Sequence, residues 1–351
     1  MQRVKIPACE MVNSNGEVEI QPLGCAIHII QRPEVRPRVL LCIHMDTVYE
    51  KSHSFQKCRL IVDGKQMNGP GVADAKGGLV VMLYGLMALE RSSLAKKIGW
   101  EVIINPDEEI GSLGSTEFLQ NRAREADAGL LFEPSFLDGS LVSWRKGSGN
   151  FTFVVRGRSA HSGRDFKSGR NAIAAVCRLM DRIDKLNFEP DVTYNIGRIE
   201  GGGPLNMVPD LAIGRINVRV KTSGQKLQVI DRLNELLEET NRIDGIECTI
   251  HGTFQSPPKP MNDATEALQK RIEVCGSALG MEIRWRGTGG ASDGNKFAAA
   301  GLPNIDTLGV CGGNIHSSQE FVNIDSLVSR AKLTALILMS FATDGLGSTD
   351  F

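Results

Sequence analysis

Residues 39–48, VLLCIHMDTV, and residues 100–109, WEVIINPDEE, share one pattern: an apolar run of strand length that stops at polar and acidic residues. Between them, residues 77–91 (GGLVVMLYGLMALER) space their apolar side chains three to four apart, as a helix packed on a sheet requires. Strand, helix and strand in succession predict an α/β layer with parallel strands, and such layers gather ligands at the carboxyl ends of the strands. His44 and Asp46 stand at the first of those ends, Glu108 and Glu109 at the second.

Farther along the chain the pattern changes near Gly147. Residues 150–157 alternate as a half-buried strand and 171–186 form an amphipathic helix; strands at 191–200 and 211–220, a helix at 225–241 and a strand at 246–253 follow. This β-α-β-β-α-β order is the split, ferredoxin-like pattern. PPKP at 257–260 reads as a junction, after which helix (264–279) and strand (302–308) signals of the first kind resume. The expected fold is α/β, a mixed sheet flanked by helices built from residues 1–147 and 255–351, with a ferredoxin-like α+β domain of residues 148–254 inserted.

The composition agrees with two domains. A chain of 351 residues exceeds the roughly 250–300 at which single cores stop growing, and its 41% hydrophobic and 23% charged content is that of a globular protein. A net charge of −1 excludes a nucleic-acid or anionic-membrane partner held by bulk electrostatics. The eight cysteines never approach CxxC spacing, which favours reduced thiols and a cytoplasmic location. No apolar stretch follows the N-terminal charges, and none reaches the roughly 18 residues of a membrane helix, so neither export nor spanning is expected.

The chemistry concentrates in a few acids and histidines. In His44-x-Asp46 both side chains take one face of a strand, so Asp46 can receive a ring N–H and orient the imidazole on a metal. Asp74 lies in GPGVADAKGG (69–78) just before the helix; alone it reads equally as an N-cap. That segment lacks both GxxxxGK[ST] and GxGxxG, as does IEGGGP (199–204), so neither is a phosphate loop. Glu108 and Glu109 in NPDEEIGS could be a solvated acidic turn, but burying like charges together is costly unless a cation compensates. Glu133 in LLFEPS again follows an apolar strand, and His316 ends another apolar segment.

Taken together, His44, His316, Asp74, Glu109 and Glu133 suit two zinc ions bridged by one carboxylate, with cobalt or manganese as substitutes. Two such ions lower the pKa of a water and polarise a carbonyl, leaving a general base to move the proton. No serine or cysteine stands in a GxSxG-like setting, so hydrolysis by activated water is the better reading.

These motifs, HMDTV, GVADAKGG, DEEIG, LFEPS and GGNIHSSQEFV, resemble in order and spacing those of the co-catalytic zinc aminoacylases and exopeptidases. That family includes glutamate carboxypeptidase, acetylornithine deacetylase, succinyl-diaminopimelate desuccinylase and the carnosinase-like dipeptidases. The resemblance implies that His44, Asp74 and Glu133 hold one zinc and Asp74, Glu109 and His316 the other, with Glu108 as general acid/base, Asp46 orienting His44 and a cis Asp74-Ala75 peptide. It implies a zinc-exopeptidase-like catalytic domain, and a role for the inserted domain in dimerisation or as a lid. His161 in GRSAHSG would then reach the partner subunit's site of a homodimer to hold the oxyanion. Asn206 in GGPLNMVPD and Arg219 in INVRV match positions that engage substrate, and GTGGASDGN (287–295) is similar to a substrate-contacting glycine loop. RGRSAHSG followed by GRNAI most resembles the glutamate carboxypeptidase branch, as does a glutamate at Glu133. Relatives carry an opening helix ahead of the HxD strand, which is expected to be missing here. The implied reaction is hydrolysis of the amide bond in a peptidyl or N-acyl amino acid. The alternatives are a non-peptide amidohydrolase or deaminase on the same site, or a non-catalytic metal-binding relative.

Overall fold

In a computed structural model that describes residues 1–188 and 190–344, the chain divides into two compact units. The first comprises Met1–Pro7, Leu23–Arg145 and the chain from Lys259 onward; the second comprises Ala8–Pro22 and Lys146–Pro258.

The first unit is built on a six-stranded mixed sheet in the order Gln2–Lys5, Cys25–Gln31, Gly99–Asn105, Arg38–His44, Ala128–Leu131, Asn304–Ile305. The last four strands run parallel and the first two pair antiparallel. Arg38–His44 is buried along its whole length. Its Val39, Leu41 and Ile43 enter one core with Val81, Leu89, Leu333 and Ile337, while Leu40 and Cys42 enter another with Leu119 and Phe297. Successive strand residues face opposite sides, and both sides here are covered by helices, which is why the sequence is a continuous apolar run rather than an alternation. Each such leucine or isoleucine contributes about 1.5–3 kcal/mol by burial.

Lys76–Glu90, Asp263–Ala278 and Ile324–Asp344 cover one face, Thr116–Ala123 and Asp293–Ala299 the other. Ile324–Asp344 corrects one expectation, because residues 324–343 are long and apolar enough to cross a membrane by composition, with mean hydropathy 1.2. More than half of that stretch is buried inside the unit, with Leu333, Ile337, Leu338 and Phe341 in its core, so it is the central helix of a packed domain. Ahead of His44 the strands Gln2–Lys5 and Cys25–Gln31 extend the sheet, and the first α-helix among the described residues is Lys76–Glu90. That helix starts hard against the strand end leading to Glu133: a Cβ on Gly78 would lie 2.0 Å from the Phe132 carbonyl oxygen.

A small antiparallel sheet of Arg59–Ile61, Gln66–Asn68, Phe321–Asn323 and Gly312–Gly313 completes the unit. Phe321 faces Asn68 in its register, so the segments around residues 69–74 and 314–320 run side by side. The strand signal at 302–308 shortens to Asn304–Ile305 because Asp306 and Thr307 are drawn into side-chain bonding with Arg145 and the Val142 amide.

In the second unit, Thr193–Gly201, Leu211–Val220, Gly147–Arg156 and Glu247–Ser256 lie in that order, all antiparallel, which is ferredoxin-like. Phe153, Val155, Val176, Leu179, Leu233 and Leu236 join the sheet to helices Ala172–Asp184 and Ser223–Asn241. The hairpin Cys9–Val12/Val18–Gln21 belongs to this unit, although its place in the sequence suggested the first. Arg215 Nη2 donates to the Val12 carbonyl at 2.9 Å, a pairing across some two hundred residues that no local pattern announces.

Candidate metal centre and active site

Three adjacent parallel strands end at one place. Arg38–His44 delivers His44 and Asp46, Gly99–Asn105 delivers the Glu108–Glu109 turn, and Ala128–Leu131 delivers Glu133. Asp74 comes from the turn before Lys76–Glu90 and does not cap that helix; Ala75 occupies the N-cap position without a side-chain bond. Instead, Oδ1 of Asp74 lies 3.0 Å from Nε2 of His44, and Oδ2 lies 3.2 Å from Nε2 of His316. His44 Nε2 is also 3.7 Å from Glu133, and His316 Nε2 is 3.2 Å from Glu109. One carboxylate thus faces two imidazoles, each of which faces a further carboxylate. The Asp74-Ala75 peptide is cis.

Asp46 braces this arrangement. Its carboxylate accepts from the backbone amides of Glu108 (3.3 Å) and Glu109 (2.9 Å), tying the two strand ends together. The His44 ring meets Asp46 mainly through the backbone: Nδ1 is 3.1 Å from its carbonyl oxygen and 3.4 Å from Oδ1. Either contact fixes the ring so that Nε2 points at Asp74.

The electrostatics are those of crowded acids. Asp74, Glu108, Glu109 and Glu133 have no lysine or arginine at ion-pair distance among the described residues. Burial, then Glu133 and Asp293, raises the Glu108 carboxyl well above the ordinary range. Burial also raises Glu133, against the pull of His44. Asp74 is held below the usual carboxylate range: burial opposes this, but the bonds to His316 and His44 outweigh it. Burial would lower His44, yet Glu133, Asp46 and Asp74 lift it well above 6.5; His316, bonded to Asp74 and Glu109, is pushed up to about 10. His44, Asp74 and Glu109 present ligand atoms within 4.8 Å of one another, and the nitrogen–oxygen donor set fits an ion such as zinc.

Beneath the site lies a polar layer that the sequence reading did not find. Asp293, from the GTGGASDGN loop, accepts from Asn105 Nδ2 (2.8 Å) and Ser112 Oγ (2.5 Å) and pairs with Lys296 (3.0 Å). Asp306 receives the Arg145 guanidinium through two bonds and Lys259 Nζ at 2.9 Å, all fully buried or nearly so. Glu320, 1% exposed, was also missed; it stands four residues after His316 in GGNIHSSQEFV.

The remaining candidates lie in the second unit. His161 bridges Met207, and Ser162 N donates to the Asn206 carbonyl at 2.8 Å, so His161 and Asn206 share one loop pair. That pair follows Arg156, which faces Leu211 at one end of the sheet. Arg219 sits near the other end of Leu211–Val220, roughly 25 Å away at about 3.3 Å per strand residue, and donates to Asn217 Oδ1 at 2.8 Å. Within one copy of this unit, Arg219 and the strand end that leads to His161 and Asn206 thus lie at opposite ends of the same strand.

Comparison with known proteins agrees with this geometry. The model of peptidase family M20/M25/M40 matches residues 40–340. Carboxypeptidase G2 from Pseudomonas sp. (strain RS-16) is 30% identical over 316 residues, covering 86% of this chain and 73% of that protein. A Staphylococcus aureus tripeptidase has the same fold, with TM-score 0.74 and 24% identity over 91% of this chain and 85% of its own. A Bacillus subtilis dinuclear metal-binding peptidase of the M20 family matches at TM-score 0.65 and 16% identity, over 95% and 87%. With the family's pattern running through nearly the whole chain, the protein belongs to peptidase family M20/M25/M40, a family of metal-dependent hydrolases.

Proposed function

We propose that the protein hydrolyses the amide bond of a peptidyl or N-acyl amino acid at a two-zinc centre. The observation that carries this reading is the Asp74 carboxylate, whose two oxygens each face a different histidine, His44 at 3.0 Å and His316 at 3.2 Å. Glu133 would complete one ion's ligands with His44, and Glu109 the other's with His316. Bound there, two divalent ions supply a water of lowered pKa and a Lewis acid for the carbonyl.

Glu108 is the proton carrier. Its surroundings raise its proton affinity, so it can accept a proton from the attacking water and hand it to the leaving nitrogen as the C–N bond breaks. Asp46 holds the Glu108 amide at 3.3 Å and keeps the carboxylate's backbone in place. The similarity to carboxypeptidase G2 supports a substrate with a free carboxylate beside the scissile amide, which Arg219 can grip in a bidentate fork. His161 and Asn206 act on the site of a second copy, in a homodimer; their distance from Arg219 within one copy supports that division. A cytoplasmic location fits the eight free thiols.

The test is metal analysis followed by assays on N-acyl amino acids and dipeptides with zinc or cobalt restored. Glu108→Gln should keep both ions and lose about 10²–10⁴-fold in kcat. Full activity in that variant would overturn the assignment of Glu108, and wild-type protein that takes up no metal would overturn the centre itself.

A further inference from the structure

Asp74 is held by an acid that touches neither imidazole. Glu320 Oε1 accepts from the backbone amides of Ala73 (2.9 Å) and Asp74 (3.0 Å), and Oε2 accepts from that of Gly71 at 3.0 Å. The Tyr49 hydroxyl lies between Oε2 (3.1 Å) and the Ser317 carbonyl (2.7 Å) and shares its one proton between these two acceptors. The backbone of Glu320 is engaged as well: its carbonyl accepts from Asn68 Nδ2 (2.7 Å) and Gly69 N (3.3 Å). One residue therefore grips the segment 68–74 from end to end, while standing four residues from His316.

Two features make this more than loop packing. A carboxylate that is 1% exposed with no basic side chain paired to it among the described residues is costly, because desolvation disfavours the charge. A neutral amide could not replace it, since glutamine offers one acceptor oxygen where three backbone amides converge on two. The cost is offset if strong positive charge arrives at the neighbouring Asp74. Glu320 also joins the only two ligand loops that do not come from a sheet strand end, those of Asp74 and His316.

We propose that Glu320 is a positioning residue for the bridging ligand, setting the Asp74 carboxylate against the His316 loop so that both metal ions bind tightly. This rests on the two-metal reading above. The chain's own backbone amides point into Glu320, and their alignment fixes where the Asp74 side chain emerges; the Phe321–Asn68 register then carries the same constraint to His316.

The experiment compares wild type, Glu320→Gln and Tyr49→Phe as metal-free proteins titrated with cobalt, read by its visible absorption and by competition with a chromophoric chelator. Melting of the metal-free forms checks folding. Glu320→Gln should fold, bind cobalt about 10–100-fold more weakly, show a changed absorption band, and lose kcat with KM within about threefold. Tyr49→Phe removes one donor and should show a smaller loss of affinity in the same direction; it carries the test if Glu320→Gln does not fold. Wild-type affinity and an unchanged band in a folded Glu320→Gln, or in Tyr49→Phe where that variant stands alone, overturn the proposal while leaving the two-metal centre intact. Absence of cobalt binding by the wild type overturns both.

Discussion

Asp74 and His316 compete between proton and metal. In the metal-free protein the His316 imidazole is pushed up to about 10 by Asp74 and Glu109. A raised folded-state value means its stabilising contribution is complete below the ordinary 6.5 and is lost as pH climbs toward about 10. Asp74 is shifted downward, so its contribution is present above the ordinary 3.8 and disappears as pH falls through its folded value. The pair is at full strength between those limits, at mildly acid pH. A divalent ion must displace the proton from His316, so loading at pH 7 should release protons and apparent affinity should fall by about a hundredfold from pH 8 to pH 6, a decade per unit for one displaced proton. Calorimetric titration in buffers of different ionisation enthalpy measures this; affinity and heat independent of pH and buffer would refute it.

Single residues also show what a sequence can disclose. His44, Glu108, Glu109, Glu133 and His316 stood out because each follows an apolar segment whose period is local, and Asp74 through its motif GVADAKGG. Glu320 did not, although it lies in GGNIHSSQEFV, since its partners Gly71, Ala73 and Asp74 lie some 250 residues earlier. The same applies to Asp293, whose partner Asn105 is 188 residues away.

Among the elements, the sheet ends depend on a buried ionic layer. Asp306 closes the short strand Asn304–Ile305 and carries one negative charge between Arg145 and Lys259, with Ser292 Oγ at 3.2 Å. Arg145 and Lys259 bond each other's backbones and flank the second unit's insertion in the chain. Asp306→Asn keeps the shape but leaves two buried cations uncompensated, so it should cost about 3–5 kcal/mol in denaturant unfolding. A loss below about 1 kcal/mol would mean that the layer is already solvated or that Lys259 sheds its proton; burial does depress that ammonium. The layer explains why the strand expected at 302–308 is so short. The helices and long strands were legible because burial imposes periods of 3.6 and 2, whereas the layer rests on contacts between residues 145, 259 and 306, which no period encodes.

For the whole molecule, the separation of Arg219 from His161 and Asn206 bears on the number of catalytic units. In a homodimer whose sites borrow His161 from the partner, Glu108→Ala and His161→Ala are each inactive alone. Random exchange of subunits between the two would make half the dimers mixed, each with one intact site, restoring about a quarter of wild-type activity. No recovery after verified subunit exchange would show that His161 serves its own chain, or none.

The order of the proposed ligands along the chain has a consequence for biosynthesis. His44, Asp74, Glu109 and Glu133 precede the inserted unit, and His316 follows it. A ribosome adding roughly 5–20 residues per second spends some ten seconds or more between Glu133 and His316. Throughout that interval the nascent chain carries all the proposed ligands of one ion, His44, Asp74 and Glu133, and lacks only the histidine of the other. The proposed second ion would therefore wait for the last histidine to emerge, with Glu320 four residues behind it to latch the bridging loop.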